Sequence, residues 1–303
     1  MKKDLEGVEK LREIKPGDIV SRKSYGEDVF FKVEEIIICE NGEKIAILKG
    51  MEMRLIADAH LEDLVLKGAV DILNYRHQSI EKNAEYLRRM QKKRLLERTQ
   101  GMARYEEGSR AGAADNFFDF PATVMHLDGD KGYLEKCLRA YEQLGLPVRG
   151  FHVAEKDQPA QTPGLVEEFL PDILVLTGHD GLIKKAADFT SIESYRNSKY
   201  FVQAVRAVRH LMPSKDSLVI FAGACQSHYE ALLQAGANFA SAPQRVLIHA
   251  FDPVYVVEKL AFTTIKKIVD LVELVNNTIT GSSGIGGIET KGRYRQGYPR
   301  SPY

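Results

Sequence analysis

Residues 172–181, DILVLTGHDG, and residues 217–227, SLVIFAGACQS, share one plan. Each is a short apolar run that stops in small residues and then presents a reactive side chain, His179 in the first and Cys225 in the second. Apolar runs of this length bounded by glycine-containing turns read as strands buried on both faces. Such strands belong to parallel sheets covered by helices, where sites form just outside the carboxyl ends of the strands. The two stretches therefore fix the fold class and nominate a site together.

The neighbouring segments keep the same rhythm from Phe117 onward. ATVMHLDGD is a strand ending in acids, and KGYLEKCLRAYEQLG is a helix with Gly145 as its C-cap. VRGFHVA is a second strand, TPGLVEEFLP a short helix, and DILVLTGHDG the third strand. KYFVQAVRAVRHLMP is a helix with Phe201, Val202, Val205, Val208 and Met212 on its apolar face. SLVIFAGA is the fourth strand, HYEALLQAGA a helix, RVLIHAF a fifth strand and TTIKKIVDLVELVNN a closing helix. This pattern predicts an α/β domain over 116–279, a parallel sheet with helices on both faces.

Residues 1–67 read as a small β-barrel-like domain, with Asn41-Gly42 as a two-residue hairpin turn between β-rich flanks. Residues 68–115 read as a basic helical linker. Its run of Arg88, Arg89, Lys92, Lys93, Arg94 and Arg98 has no aromatic residues interleaved to stack bases, so it reads as a solvated face. Residues 280–303, rich in Gly, Ser, Arg and Tyr, read as a flexible tail.

Composition excludes several classes. Lysine plus arginine equals aspartate plus glutamate, 42 against 42, so no global charge favours nucleic acid or acidic membranes. No window approaches the ~18 apolar residues of a membrane span, and MKKDLEGVEKLREIK lacks the apolar stretch of a signal peptide. The three cysteines, Cys39, Cys137 and Cys225, form no CxxC pair, which argues against a disulfide framework or a cysteine-rich zinc site. Cys39 and Cys137 fall within apolar elements and are expected in the core. His126, His152, His210 and His228 show no zincin spacing; no metal and no cofactor is expected.

If the third and fourth strands are neighbours, His179 and Cys225 project into one cleft. A thiolate is the nucleophilic form of cysteine, and an imidazole beside it can take its proton and return one to a leaving amine. Backbone N–H groups of Gly181 and Cys225 could receive the oxyanion. The histidine precedes the cysteine by 46 residues, the caspase-like order of an apolar strand with His, then an apolar strand with Ala-Cys. Asp180 stands between His179 and Gly181, and Gly223 stands where caspases carry Gln. A rival reading makes GACQS the nucleophile turn of a class I amidotransferase-like hydrolase, with His228 or His249 as partner. Against it, Ser227 stands where that turn prefers Gly.

KPGDIVSRKSYG, HLDGDKGYL, PDILVLTGHDG and FAGACQSHYEALLQAGANFASAP resemble the YabG family of sporulation-specific proteases over nearly the whole chain. The resemblance implies a cysteine endopeptidase in the mother-cell cytoplasm of a sporulating bacterium, associated with the spore coat. It would process coat and cortex-related proteins, prefer arginine sites, and use His179 and Cys225 as its dyad. An arginine pocket needs a carboxylate for bidentate pairing. Asp128, with Asp130 second, is the candidate at the end of the first strand, and Asp180 is a rival. An arginine-directed protease could also cut itself at Arg110 in the linker or at Arg293, Arg295 and Arg300 in the tail. The competing non-enzymatic reading is a coat-assembly adaptor.

Overall fold

Apolar residues alternate in and out along the first strands of the chain, and tight turns return each strand on its neighbour. The structure, a computed structural model, describes residues 13–106, 116–183 and 188–301. The chain divides into two units, Met1–Met51 with Ile56–Gln78, and Glu52–Leu55 with Ser79–Tyr303.

The first unit holds β1 (Ile19–Arg22), β2 (Phe30–Ile38), β3 (Lys44–Gly50), β4 (Ile56–His60) and β5 (Leu64–Leu66) in an antiparallel sheet of order β4-β3-β2-β1-β5. Val20, Phe31, Val33, Ala46, Leu48, Ala59 and Leu64 are buried in it. The β2–β3 hairpin turns at Asn41-Gly42 as the sequence requires, with Gly42 at φ 83 and the Cys39 N–H donating to Glu43 O at 2.8 Å. β4 and β5 lie at opposite ends of the order, so the sheet is open rather than a closed barrel. Cys39 sits in the hairpin, past the end of β2, and is only partly buried rather than in the core. The helix α1 (Ala69–Glu106) starts in this unit and continues into the second.

The second unit carries β6 (Phe118–Phe120), β7 (Val124–Asp128), α2 (Lys131–Leu144), β8 (Val148–His152), α3 (Gln158–Phe169), β9 (Ile173–Thr177) and α4 (Ser198–Leu211). β10 (Val219–Ala222), α5 (Tyr229–Ala235), β11 (Phe239–Ser241), α6 (Asp252–Phe262), α7 (Leu271–Asn276), β12 (Ile285–Gly287) and β13 (Arg295–Gly297) follow. Six strands form one sheet of order β12-β11-β10-β9-β7-β8, parallel except for β12. β6 and β13 pair separately.

Both faces of the large sheet are covered, and the strand period decides which residue meets which layer. Ile173, Val175, Val219 and Phe221 point into a cluster with residues of α2, α6 and α7. Leu174, Leu176, Ile220 and Ala222, one residue out of step, point into a cluster with residues of α3, α4 and α5. This accounts for uninterrupted apolar strands in the sequence. Gly145 ends α2 at φ 70, the left-handed cap expected there.

Three further expectations change. The fifth parallel strand is β11, and residues 245–251, RVLIHAF, make a single bridge among the described residues, through His249. The closing helix contracts to α7, while α6 occupies the segment before it. The tail is folded over its described residues: β12 joins the large sheet and Arg293 is 5% exposed. Its glycines serve close packing, since a Cβ on Gly292 would lie 2.0 Å from Thr263 O. Parts of the basic run in α1 are spent internally: Lys93 pairs with Glu273, and the Arg94 guanidinium bonds Leu144 O at 3.0 Å and stacks 3.9 Å from the Phe262 ring centre.

Candidate active site

β9 and β10 are neighbours, with Leu176 opposite Ala222 in the parallel register. His179 and Cys225 each follow those register partners by three residues, in the loops that leave the two adjacent strands. Adjacent strands are ~4.8 Å apart. Asp180 ties the two tips together. Its buried carboxylate accepts hydrogen bonds from the Gly181 N–H (2.9 Å), the Asn197 N–H (2.8 Å), Ser198 Oγ (2.5 Å) and Ser227 Oγ (2.9 Å). Ser227 Oγ accepts in turn from the Ala224 N–H at 2.9 Å. Asp180 is therefore a structural clamp; burial raises its carboxyl, against the opposing pull of those hydrogen bonds.

Gly223 makes the turn into Cys225 possible. It adopts φ 110, and a Cβ there would lie 2.4 Å from Ser241 Oγ. That hydroxyl donates to Ala224 O at 2.7 Å, so the space belongs to the loop's own support. Small residues at the end of the apolar run thus have a steric cause.

His179 faces two carboxylates, and its buried Nε2 makes no hydrogen bond to either. Its Nε2 lies 3.3 Å from Asp130 Oδ2 and its Nδ1 3.5 Å from Glu155 Oε1, while its backbone N–H donates to the same Glu155 oxygen at 2.6 Å. Burial works to lower its pKa, but the Asp130 and Glu155 carboxylates outweigh it and the pKa is raised. Asp130 serves two masters, since its Oδ1 caps α2 by accepting from the Gly132 and Tyr133 N–H groups. Glu155 is threaded between strand tips: a Cβ on Gly129 would lie 2.1 Å from it and one on Gly178 2.3 Å. Sequence reasoning missed Glu155, although it stands three residues past the end of β8, as Cys225 stands three past the end of β10.

Cys225 is fully buried, and burial pushes its thiol up to about 12, opposed by the Ile248 N–H and the charge of Arg54. The Ile248 N–H donates to Sγ at 3.2 Å, and the thiol lies 3.7 Å from Ile248 O. Among the described residues, the backbone N–H groups of Cys225 and Asp180 have no acceptor, whereas that of Gly181 is committed to Asp180 Oδ1.

Asp128 ends β7 fully buried in an ion pair with Arg54, which holds its carboxyl down at about 2 despite the burial that works to raise it. Thr177 Oγ1 donates to Asp128 at 3.0 Å, and the Asp130 N–H does so at 2.9 Å. Arg54 also reaches Cys137 Sγ and Ala250 O, each at 3.3 Å. Cys137 is buried as expected, and Arg54 is a second residue that sequence reasoning missed.

The other candidates are placed as follows. His249 is buried, its pKa pushed down to about 3 by burial, with the Phe251 N–H donating to its Nδ1 at 3.2 Å. His228 caps α5, its Nε2 2.8 Å from Thr190 O and its Nδ1 accepting from the Ala231 N–H. Of the tail arginines, Arg293 is buried, Arg295 lies exposed in β13 and Arg300 is exposed. Arg110 lies outside the described residues. No helix among the described residues is long and apolar enough to cross a membrane.

Two comparisons bear on this arrangement. Residues 15–299 match the family described as YabG peptidase U57. The chain is 44% identical over 284 residues to the sporulation-specific protease YabG of Bacillus subtilis (strain 168), covering 93% of this chain and 97% of that relative. With nearly its whole length matched, the chain belongs to the YabG peptidase family.

Proposed function

We propose that the protein is a sporulation cysteine endopeptidase of caspase-like architecture that cuts after arginine in spore coat and cortex-related proteins. The observation that supports the mechanism is the pairing of β9 with β10, whose adjacent ends lead into the loops bearing His179 and Cys225, with Asp180 bridging those loops. The strand order, with the second and first parallel strands at one edge and the third to fifth following, supports the caspase-like reading.

In this mechanism His179 removes the Cys225 proton, and the thiolate attacks the substrate carbonyl. The Cys225 N–H donates to the oxyanion. The Asp180 N–H, which has no acceptor among the described residues, is the candidate second donor, whereas the Gly181 N–H must first leave the Asp180 carboxylate. His179 then returns the proton to the leaving amine, and water hydrolyses the acyl-enzyme. Asp130 and Glu155 orient the ring and favour its imidazolium. For arginine recognition, Asp128 is the favoured acid: it already holds a guanidinium, whereas Asp130 faces His179 and Asp180 faces the loops.

The test is cleavage of an unstructured, arginine-rich protein by wild type and by Cys225→Ala, His179→Ala and His249→Ala, followed by gel and by mass of the fragments. The first two variants are expected to be inactive and the third active, with fragments ending in arginine. Cleavage retained in Cys225→Ala overturns the mechanism, and loss in His249→Ala with retention in His179→Ala supports the amidotransferase-like order.

A further inference from the structure

The residue that fills the Asp128 site comes from this chain, and its backbone behaves as a bound peptide would. Residues Glu52–Leu55 belong to the second unit, although the chain on both sides of them belongs to the first. Met53 bridges His249 in antiparallel sense. The Arg54 N–H donates to Ile248 O at 3.3 Å, and the Ala250 N–H donates to Glu52 O at 2.9 Å. Residues 52–54 thus pair antiparallel with residues 248–250 through one bridge and two main-chain hydrogen bonds, a short version of the pairing by which a groove holds an extended peptide.

The position of that strand matters. Ile248 O accepts from the Arg54 N–H and is also 3.7 Å from Cys225 Sγ, so the main chain of Arg54 and the thiol meet at one carbonyl. The Arg54 side chain is fully buried. It is bound by the Asp128 carboxylate, by Ala250 O and Cys137 Sγ at 3.3 Å, and lies 5.3 Å from the Tyr133 ring centre. Tyr133 Oη donates to Met53 O at 2.5 Å, and Lys136 pairs with Glu52 at 3.2 Å. Past Arg54 the chain turns away at once, the Leu55 N–H donating to Met53 O at 2.8 Å. The main-chain pairing accompanies the side-chain ion pair, as it would for a bound peptide.

We propose that Glu52, Met53 and Arg54 are an internal occupant of the substrate groove that holds the enzyme latent, and that an arginine-bearing peptide must displace them to reach Cys225. The proposal rests on the reading of Cys225 as nucleophile and Asp128 as the arginine acid. It extends that reading to the walls of the groove: Ile248–Ala250 bind the peptide backbone, and Tyr133, Cys137 and the Ala250 carbonyl complete the arginine pocket. The buried, strongly protonated state of the thiol fits an occupied groove. A tethered occupant competes at an effective concentration in the mM range, so removing it should strengthen peptide binding at least about tenfold.

The test needs no catalysis. The peptide acetyl-Glu-Met-Arg-amide is titrated by calorimetry into full-length Cys225→Ala and into Cys225→Ala, Arg54→Gln, with thermal unfolding as the folding control. At least about tenfold tighter binding to the double variant is expected; equal binding by two folded proteins overturns the proposal. If Arg54→Gln does not fold, hydrogen exchange at the Arg54 and Ala250 amides of Cys225→Ala is followed with and without saturating peptide. Faster exchange at Arg54 in the presence of peptide supports displacement, and unchanged exchange overturns it. If peptide binds as expected but the wild type cuts no arginine-rich protein, the protease mechanism fails while the occupancy stands.

Discussion

Glu155 offers the sharpest perturbation of the site, because it touches both the ring and the backbone of His179. Glu155→Gln preserves volume between Gly129 and Gly178, where little space exists for anything larger. It removes one of the two anions that hold the His179 pKa up against burial. Loss of a carboxylate 3.5 Å from Nδ1 should lower that pKa, because one of the charges that stabilise the imidazolium is gone. The backbone anchor at 2.6 Å weakens as well, so the ring is also less well aimed. Together these predict a fall in kcat of about 10- to 100-fold. The sign of the pH effect follows from the base role: activity needs neutral His179 and is lost as pH falls through its pKa. A lower pKa moves that acid limb to lower pH, while Asp130 still holds it partly up. The assay is initial rate on an arginyl peptide amide from pH 5 to 9. An unmoved acid limb with kcat within twofold of wild type would refute the assignment of Glu155 as the orienting carboxylate.

Gly223→Ala places a methyl 2.4 Å from Ser241 Oγ at a φ of 110, so it should cost about 1–3 kcal/mol by thermal unfolding and displace the Cys225 loop; an unchanged midpoint and rate would contradict the turn described. Asp128 titrates at about 2 in the fold, below its ordinary value of 3.8, so its contribution is complete above about pH 4 and is lost as pH falls through about 2. Asp128→Asn should cost about 3–5 kcal/mol at pH 7 by leaving Arg54 buried without its counter-charge, and should flatten that acid loss; chemical denaturation across pH 2–7 checks both. Nuclear magnetic resonance should find His179 titrating above 6.5 and His249 still neutral at pH 4.5, and the reverse order would favour His249 as base.

The strand tips were legible because their cause is local. An apolar run, small residues and a reactive side chain are contiguous in DILVLTGHDG and SLVIFAGACQS, and the parallel sheet pairs them in register. Glu155 and Arg54 were not legible, because each acts on partners from other segments: Glu155 on His179, Arg54 on Asp128, Cys137 and Ala250. Residues 245–251 read as a strand because their β-branched and apolar side chains are indeed buried in part, but the backbone they offer pairs with Glu52–Arg54 rather than with a sheet neighbour. The tail misled through its glycines. Gly286 and Gly297 are small because Tyr229 and Phe118 pack against them at 2.5 Å and 2.0 Å from a hypothetical Cβ, a tertiary constraint that composition does not reveal. Asp128 is nominated as an arginine ligand by its charge and its place at the end of the first strand; that a guanidinium from residue 54 already occupies it depends on the fold.

The central claim is that Cys225 is the nucleophile. The most direct measurement is to incubate the full chain with an arginyl chloromethyl ketone, digest it and locate the adduct by mass spectrometry. A single adduct on Cys225, abolished in Cys225→Ala and slowed in His179→Ala, is the predicted result. An adduct on Cys39 or Cys137, with Cys225 unmodified while proteolysis is blocked, would contradict the account.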